Sequence, residues 1–240
     1  MEIENKRVLV SGAGRGLGRA LVTVLAETGV REIIAGTRTP EAYEELIALS
    51  PPVTPVHLDV RSDADVAAVA QLGPIDILIN NAGFAGFGNP LTMSFEDIEE
   101  ETAVNYLGVL RLTRAIAPGM IAQGDGLIVN IATVFAKVNL PLVGTYCATK
   151  SALLSLGQAL RAHLAGTGVR VITVMPTTID TDMSSGADVP KMTKEYVATE
   201  ILAAIRAEVH DPPIGDEAKR ILDEFSKDPV GLETILMKYR

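Results

Sequence analysis

A tyrosine and a lysine lie four positions apart in the segment TYCATK, at Tyr146 and Lys150. If the segment is helical, this spacing places both side chains on one face of the helix. A free tyrosine is a poor acid–base group at neutral pH because its pKa lies near 10. A neighbouring ammonium group favours the phenolate and lowers that pKa, so the pair could transfer a proton to or from a substrate. The spacing alone does not show whether the pair transfers a proton, because that depends on which other residues of the chain lie at the same face of the helix.

A second motif, SGAGRGLG, spans Ser11 to Gly18, between an apolar segment and a helical pattern. Glycines allow backbone conformations that are closed to other residues, and they let a ligand come close to the main chain. The start of a helix offers free N–H groups and the positive end of its dipole to a pyrophosphate. We expect a phosphate site here, with a merely tight turn as the alternative.

The elements that must position these motifs alternate along the chain. Six short apolar segments are typical of strands buried on both faces of a sheet: RVLVSG, REIIAGT, VTPVHLDV, IDILINNAG, GLIVNIAT and VRVITVMP. Amphipathic helical patterns lie between them, and such alternation favours right-handed βαβ crossovers. The prediction is an α/β fold of one doubly wound domain over residues 1–240. Its mostly parallel sheet has six or seven strands with helices on both faces, and a helical tail starts at about residue 216.

The spacing of Gly12, Gly16 and Gly18 resembles the TGxxxGxG pattern of the short-chain dehydrogenase/reductase family, with Ser11 in the threonine place. The segments LDV, NNAG, VNYLG and YCATK fit the same family, and the resemblance covers about residues 5–182. It implies a Rossmann-type fold and a nicotinamide cofactor. The residues that it assigns to that cofactor are Gly12, Arg15, Gly16, Leu17, Gly18, Thr37, Arg38, Asp59, Val60, Asn81, Ala82, Gly83, Tyr146, Lys150, Pro176 and Thr181.

The end of the second predicted strand favours NADP(H) over NAD(H). An acidic side chain there would bind the adenosine ribose and repel a 2′-phosphate, but this chain has Thr37, followed by Arg38. Arg15 lies inside the glycine-rich turn. Two guanidinium groups without a carboxylate suit a phosphate. The alternative is that both arginines are solvated surface charges.

The resemblance also implies a catalytic set of Asn105, Thr133, Tyr146 and Lys150. In it, Tyr146 is the proton donor, Lys150 bonds the nicotinamide ribose and Asn105 holds a water in a proton relay. Thr133 stands where the family has a serine that orients the carbonyl oxygen, and Thr177 stands where relatives usually have a glycine. Threonine keeps the hydroxyl donor but adds a methyl group and stiffens the side chain.

Four apolar side chains near the motif ends predict an apolar substrate cavity, with core packing as the alternative for each: Phe84, Phe87, Phe135 and Met183. The helical tail is open to three roles, namely closing the cavity, contacting another subunit or packing on the core.

Composition limits the partners. The chain has 240 residues, 48% of them hydrophobic, and a net charge of −9. An acidic surface argues against nucleic acid and membrane surfaces, and the three histidines have no metal-ligand spacing, so we expect no metal. The single cysteine, Cys147, fits a reducing compartment, so we expect a cytoplasmic protein.

The sequence therefore predicts an NADPH-dependent reductase of a small or medium apolar ketone or aldehyde, or the reverse dehydrogenase. A 3-oxoacyl-thioester reductase is the second enzyme hypothesis. An NADP(H)-binding regulatory protein with weak catalysis is the hypothesis from another class, supported by the Thr133 and Thr177 departures. The resemblance implies a homodimer or homotetramer.

Overall fold

A parallel sheet forms the centre of the molecule in the computed structural model, which describes residues 1–49 and 53–239. The sheet has seven strands in the order β3-β2-β1-β4-β5-β6-β7. Their bounds are β1 Arg7–Ser11, β2 Glu32–Thr37, β3 Val53–His57, β4 Ile77–Asn80, β5 Gly126–Ile131, β6 Val169–Pro176 and β7 Pro213–Ile214. Every neighbouring pair is parallel. The structure confirms the predicted α/β fold and its mostly parallel sheet.

Helices connect the strands. The α-helices are α1 Gly16–Ala26, α2 Tyr43–Ile47, α3 Asp63–Ala70, α4 Phe95–Thr102, α5 Val109–Gln123, α6 Gly144–Leu164, α7 Lys194–Ala207, α8 Asp216–Lys227 and α9 Pro229–Leu236. Short 3₁₀ turns span Pro40–Ala42, Val134–Ala136, Asp182–Ser184 and Met237–Tyr239, and a π-helical turn spans Ala103–Gly108.

The two faces of the sheet bury separate apolar cores, as a doubly wound fold requires. Helices α1 and α7 pack together over one face, and α3 and α5 pack together over the other. Strand β5 is buried along its whole length. This burial explains why the strands read as continuous apolar runs and not as alternating ones.

Two elements differ from the sequence-based expectation. Strand β7 lies in HDPPIG, which reads as a break because two prolines cannot donate to a sheet, and it pairs with β6 over two residues only. The segment SFEDIEEETAVNYLGVLRLTRAIAPGMIA, residues 94–122, reads as one long helical pattern, but a π-helical turn that contains Asn105 divides it into α4 and α5. Such turns are rare and occur often at functional sites.

The strand order fixes where a ligand can bind. The chain moves outward from β1 to β3 and then returns to place β4 on the other side of β1. The crossovers on the two sides of this point lie on opposite faces, which leaves a crevice at the carboxyl edge of the sheet.

Candidate active site

A cavity of about 390 Å³ opens at this edge, between the ends of β1, β2, β4, β5 and β6. It brings together nearly all residues that the sequence assigned to the site. These are Gly12, Arg15, Gly16, Leu17, Gly18, Thr37, Arg38, Asp59, Val60, Asn81, Ala82, Gly83, Phe87, Thr133, Phe135, Tyr146, Lys150, Pro176, Thr181 and Met183. Asn105 and Phe84 do not line it.

The glycine-rich turn forms one wall of this cleft and leads into α1. Gly12 and Gly16 have φ of 67° and 55°, which other residues rarely adopt. A Cβ on Gly18 would lie 2.1 Å from the Gly12 carbonyl oxygen, so helix and turn pack closely only without a side chain there. The Ser11 hydroxyl accepts hydrogen bonds from the backbone N–H groups of Asn81 (3.0 Å) and Ala82 (3.1 Å), tying this turn to the end of β4.

At the β2 end of the cleft, Thr37 is buried and its hydroxyl accepts a hydrogen bond from Thr39 N at 3.2 Å. The Arg38 side chain is 56% exposed, and its guanidinium approaches Glu100 at 4.0 Å. Because Arg38 keeps most of its surface open to solvent, it is free to meet an anionic ligand.

Asp59 lines the cleft beside an arginine that sequence reasoning did not single out. Arg61 forms charge-assisted hydrogen bonds to Asp59 and to Glu100, and it lowers the pKa of Asp59 to about 2. Backbone hydrogen bonding from Arg61 N adds to this effect. Asp59 is therefore ionised at any physiological pH.

Arg15 does not point freely into the cleft. Its guanidinium forms an ion pair with Asp182 at 3.2 Å, and both side chains are mostly exposed. The pair joins the glycine-rich turn to the 3₁₀ turn after β6, across the mouth of the cleft.

Tyr146 and Lys150 lie on one face of α6, as their spacing predicts. Lys150 Nζ stands 5.5 Å from the centroid of the Tyr146 ring and donates a hydrogen bond to Ile131 O at 2.8 Å. Desolvation lowers the pKa of Lys150 to about 8. The lysine can thus exist in both protonation states near neutral pH.

The expectation that Lys150 lowers the pKa of Tyr146 is wrong for the chain itself. Desolvation is the largest effect on this phenol and raises its pKa. The reason is that the Lys150 ammonium donates its hydrogen bond to Ile131 O and lies over the face of the ring, so the effect of burial on the phenol outweighs that of the lysine charge. The phenol is consequently held in its protonated form.

Thr133 lies at the end of β5 with its hydroxyl already engaged. It donates to Pro176 O at 3.0 Å and accepts from Phe135 N at 3.3 Å. To orient a substrate carbonyl, it would have to exchange its hydrogen bond to Pro176. Thr133 thus joins β5, the following 3₁₀ turn and β6 at the cleft floor.

Asn105 lies behind the cleft, and its side chain is fully buried. Its Oδ1 accepts from Phe84 N (2.9 Å), and its Nδ2 donates to Phe84 O (2.8 Å) and to Thr149 Oγ1 (3.0 Å). The amide thus holds the loop after β4 against α6. The predicted water relay at Asn105 stays a prediction.

Phe84 is a correction to the expected substrate cavity. Its ring packs against the core between the sheet and helices α3 and α5, and it does not line the cleft. The backbone of Phe84 is bonded to Asn105, which turns the side chain away from the carboxyl edge.

Two further residues near the site were not identified from the sequence. Glu101 is fully buried near Tyr146, and desolvation raises its pKa. It belongs to the acidic run FEDIEEET, in which no local pattern distinguishes a buried glutamate from its exposed neighbours. Tyr239 reaches the cleft from the helical tail and packs with Phe135 against the core around α6.

Within residues 1–49 and 53–239, no group of His, Cys, Asp and Glu side chains has an arrangement that could hold a metal ion. No helix in that part of the chain is long and apolar enough to span a membrane.

The chain is similar to known dehydrogenases and reductases. A family model described as short chain dehydrogenase matches residues 6–190. The D-erythrulose reductase of Gallus gallus is 38% identical over 185 residues, which cover 76% of this chain and 75% of that protein. The L-xylulose reductase of Homo sapiens is 34% identical over 183 residues, which cover 75% of each chain.

Solved structures match nearly the whole chain. A short chain dehydrogenase from Burkholderia cenocepacia J2315 in complex with NADP has a TM-score of 0.92 at 35% identity, covering 98% of this chain and 99% of that one. A short chain dehydrogenase/reductase from Burkholderia phymatum in complex with NAD has a TM-score of 0.87 at 25% identity, covering 95% of each chain.

Proposed function

Because the chain belongs to the short-chain dehydrogenase family, we propose that it reduces a small or medium apolar ketone or aldehyde with NADPH, or catalyses the reverse oxidation. Family membership confirms the resemblance drawn from the glycine-rich turn and the Tyr146–Lys150 spacing. One observation carries the proposal. The partly buried Tyr146 with the buried Lys150, the glycine-rich turn and a set of apolar side chains face the same cleft.

The residues present fit a dinucleotide. The turn at Gly12 and Gly16 lines the cleft at the start of α1, where N–H groups and the helix dipole favour a bound pyrophosphate. Lys150 lies at the other end of the cleft with a protonated form available to bind a ribose hydroxyl. When bound, a reduced nicotinamide supplies the hydride.

The proton comes from Tyr146. Its phenol is protonated because burial raises its pKa, so it can donate a hydrogen bond to a carbonyl oxygen and then give up the proton as negative charge develops there. Lys150⁺ stabilises the phenolate that remains. Thr133 and Asn105 fix the walls around this hydroxyl through their bonds to Pro176 and Phe84.

The preference for NADP(H) is supported by the β2 end of the cleft. Thr37 leaves that position without a carboxylate, and Arg38 is largely exposed beside it. The relative from B. cenocepacia, which is similar over nearly its whole length, was solved with NADP.

An apolar substrate is supported by the remaining lining of the cleft. The side chains there are largely hydrocarbon: Ala85, Phe87, Phe135, Leu140, Leu142, Val143, Met183, Ala187, Val189 and Tyr239. The D-erythrulose and L-xylulose reductases are named for hydroxylated ketones, which need hydrogen-bond partners at several positions, whereas Thr177, Thr178 and Ser184 are the hydroxyl-bearing side chains that this part of the cleft adds to these apolar ones.

The test is the fall in NADPH absorbance with a panel that pairs apolar ketones with D-erythrulose and L-xylulose. We expect turnover of the apolar ketones, a higher kcat/KM for them than for the two ketoses, and none with the Tyr146→Phe variant. A preference for the ketoses would refute the apolar assignment. Undetectable turnover across the panel, with NADPH still bound, would favour the regulatory hypothesis.

A homo-oligomer in a reducing, cytoplasmic compartment belongs to the same proposal. Leu91, in the turn before α4, and Phe95, the first residue of α4, are 90% and 80% exposed, and a second subunit would cover them. Cys147 is buried as a thiol. Sedimentation at micromolar concentration should give a dimer or tetramer, and a monomer would contradict this.

A further inference from the structure

Glu101 is a buried acidic side chain that the proposed reaction leaves without a role. It lies at the end of α4, about one helical turn before Asn105, and is fully buried. Burying a carboxyl group is costly unless its hydrogen bonds are satisfied, so its partners are informative.

The contacts of Glu101 repeat those of Asn105. Asn105 accepts a hydrogen bond from Phe84 N and donates one to the Thr149 hydroxyl of α6. Glu101 Oε1 accepts a hydrogen bond from Gly86 N at 2.8 Å, two residues further along the same loop. Its carboxyl group faces the Thr145 hydroxyl, four residues before Thr149 on α6. The two side chains thus hold one loop against one helix at successive turns, and Tyr146 lies between the two threonines.

We infer that Glu101 is a positioning residue, which holds the loop of residues 84–86 and the first turn of α6 together and so places the Tyr146 hydroxyl in the cleft. The inference rests on the proposed function only in taking Tyr146 as the proton donor.

The hydrogen bonding can accommodate a proton on Glu101, because Oε2 is buried without a hydrogen-bond partner among the residues that the structure describes. The Thr145 hydroxyl lies 3.2 Å from Met93 Sδ and also faces the Glu101 carboxyl group, so it can donate its hydrogen to either of them. A protonated Oε2 can itself donate to Thr145 Oγ1, as the Asn105 amide does to Thr149. The chain from Gly86 through Glu101 and Thr145 to Met93 is then complete.

The surrounding charges agree with a neutral carboxyl group. Burial is the largest effect on Glu101 and, with the like charge of Asp97 on the same helix, raises its pKa, while the hydrogen bonds of Thr145 and Gly86 N act in the opposite direction. The loop offers the Gly86 N–H and the Met93 thioether, and α6 offers Thr145, the Tyr146 phenol and the Cys147 thiol, all of them uncharged. An ionised Glu101 would also oppose the phenolate of Tyr146 during the reaction.

Hydrogen exchange tests the inference without relying on catalysis. In the full chain, Glu101→Ala should speed amide exchange in residues 84–93 and in the first turn of α6 by at least about tenfold, because the Gly86 hydrogen bond is lost. Glu101→Gln keeps an acceptor and a donor and should exchange like the wild type. Glu99→Ala, an exposed glutamate on the same helix, is the matched control. Unchanged exchange in the Glu101→Ala variant would overturn the inference, whether or not the protein proves to be a reductase.

Measurements of kcat and of the NADPH Kd provide a second test. Glu101→Ala should lower kcat by about tenfold or more while the NADPH Kd stays within about twofold, and Glu101→Gln should stay within about threefold of wild type. Thr145→Val should lower kcat as well, and adding it to Glu101→Ala should cost little more, because both changes break one chain. A fully additive double variant, or a Gln variant as impaired as Ala, would overturn the inference.

The pH profile of kcat checks the proton on Glu101. With a neutral Glu101, the Gln variant and the wild type should have superimposable profiles. If Glu101 were ionised, removing its charge would lower the pKa of Tyr146 and move the alkaline limb to lower pH. Such a shift would refute the protonated state.

Discussion

Replacing Thr133 by valine tests how the floor of the cleft is built. Valine has nearly the same shape but no hydroxyl, so Pro176 O and Phe135 N would lose their partner in a site that is only 4% exposed. An unpaired buried backbone group costs about 1–3 kcal/mol, so the two together should lower the free energy of unfolding by roughly 2–6 kcal/mol. For a chain of this size, the lower figure corresponds to a fall in Tm of about 4–8 °C. Thr133→Ser keeps both bonds and loses one methyl group, which costs about 0.5–1.5 kcal/mol.

The assay is thermal unfolding of both variants beside the wild type, with Thr199→Val as a control for the same change at an exposed helical site. The expected order of Tm is wild type, Thr133→Ser, then Thr133→Val. A Thr133→Val variant that melts with the wild type would show that the hydroxyl bridge contributes nothing. At a temperature where every variant is folded, kcat then reports the hydroxyl's part in catalysis, and loss of a donor to the reacting oxygen would cost about 10²–10³ in kcat.

Three further predictions concern the cofactor and the proton. Tyr146→Phe should lower kcat at least about a hundredfold while the NADPH Kd, measured by fluorescence titration, stays within about twofold; a variant that keeps most of its rate would mean that the acid lies elsewhere. Arg38→Ala should weaken NADPH binding by about tenfold to a hundredfold and leave NADH unchanged, and equal wild-type affinity for both would contradict the preference. Burial lowers the Lys150 pKa from 10.5 to about 8, so between these pH values the unfolded chain holds a proton that the folded chain has released, and wild-type stability should rise with pH. The difference in the free energy of unfolding between wild type and Lys150→Met, measured with urea, should grow by up to about 3 kcal/mol from pH 8 to 10.5. The exposed Lys137→Met variant is the control, and a difference that does not change with pH would contradict the lowered pKa.

The features that the sequence predicted correctly depend on local signals. A buried strand, a turn that needs glycine at positive φ and a helix start follow one another within residues 7–18, so backbone rules alone identify this unit. The six longer strands follow from their apolar composition, and the strand order of the family places their carboxyl ends together. Nearly every residue that the sequence assigned to the cleft therefore lines it.

The features that sequence reasoning missed depend on contacts between distant segments. The pKa of Tyr146 is set by burial among neighbours from several elements, and the single lysine in its motif does not reveal that. Phe84 faces the core because Asn105 binds its backbone, and Glu101 is buried because Gly86 and α6 close over it. Strand β7 pairs over only two residues, too few to produce a periodic pattern.

Asp182 pairs with Arg15, so this carboxylate and a bound phosphate would compete for the same guanidinium. Both side chains are mostly exposed, so the pair contributes about 0–1 kcal/mol, less than the 1.5–3 kcal/mol of a typical charge-assisted hydrogen bond. A 2′-phosphate within reach of Arg15 would therefore displace Asp182 and free the turn after β6. Salt then has two opposing effects on NADPH binding, because it weakens the Arg15–Asp182 ion pair that competes with the phosphate as well as the attraction between Arg15 and the phosphate. The salt dependence of NADPH affinity should consequently be shallower than a count of cationic side chains suggests, and Asp182→Asn should make it steeper.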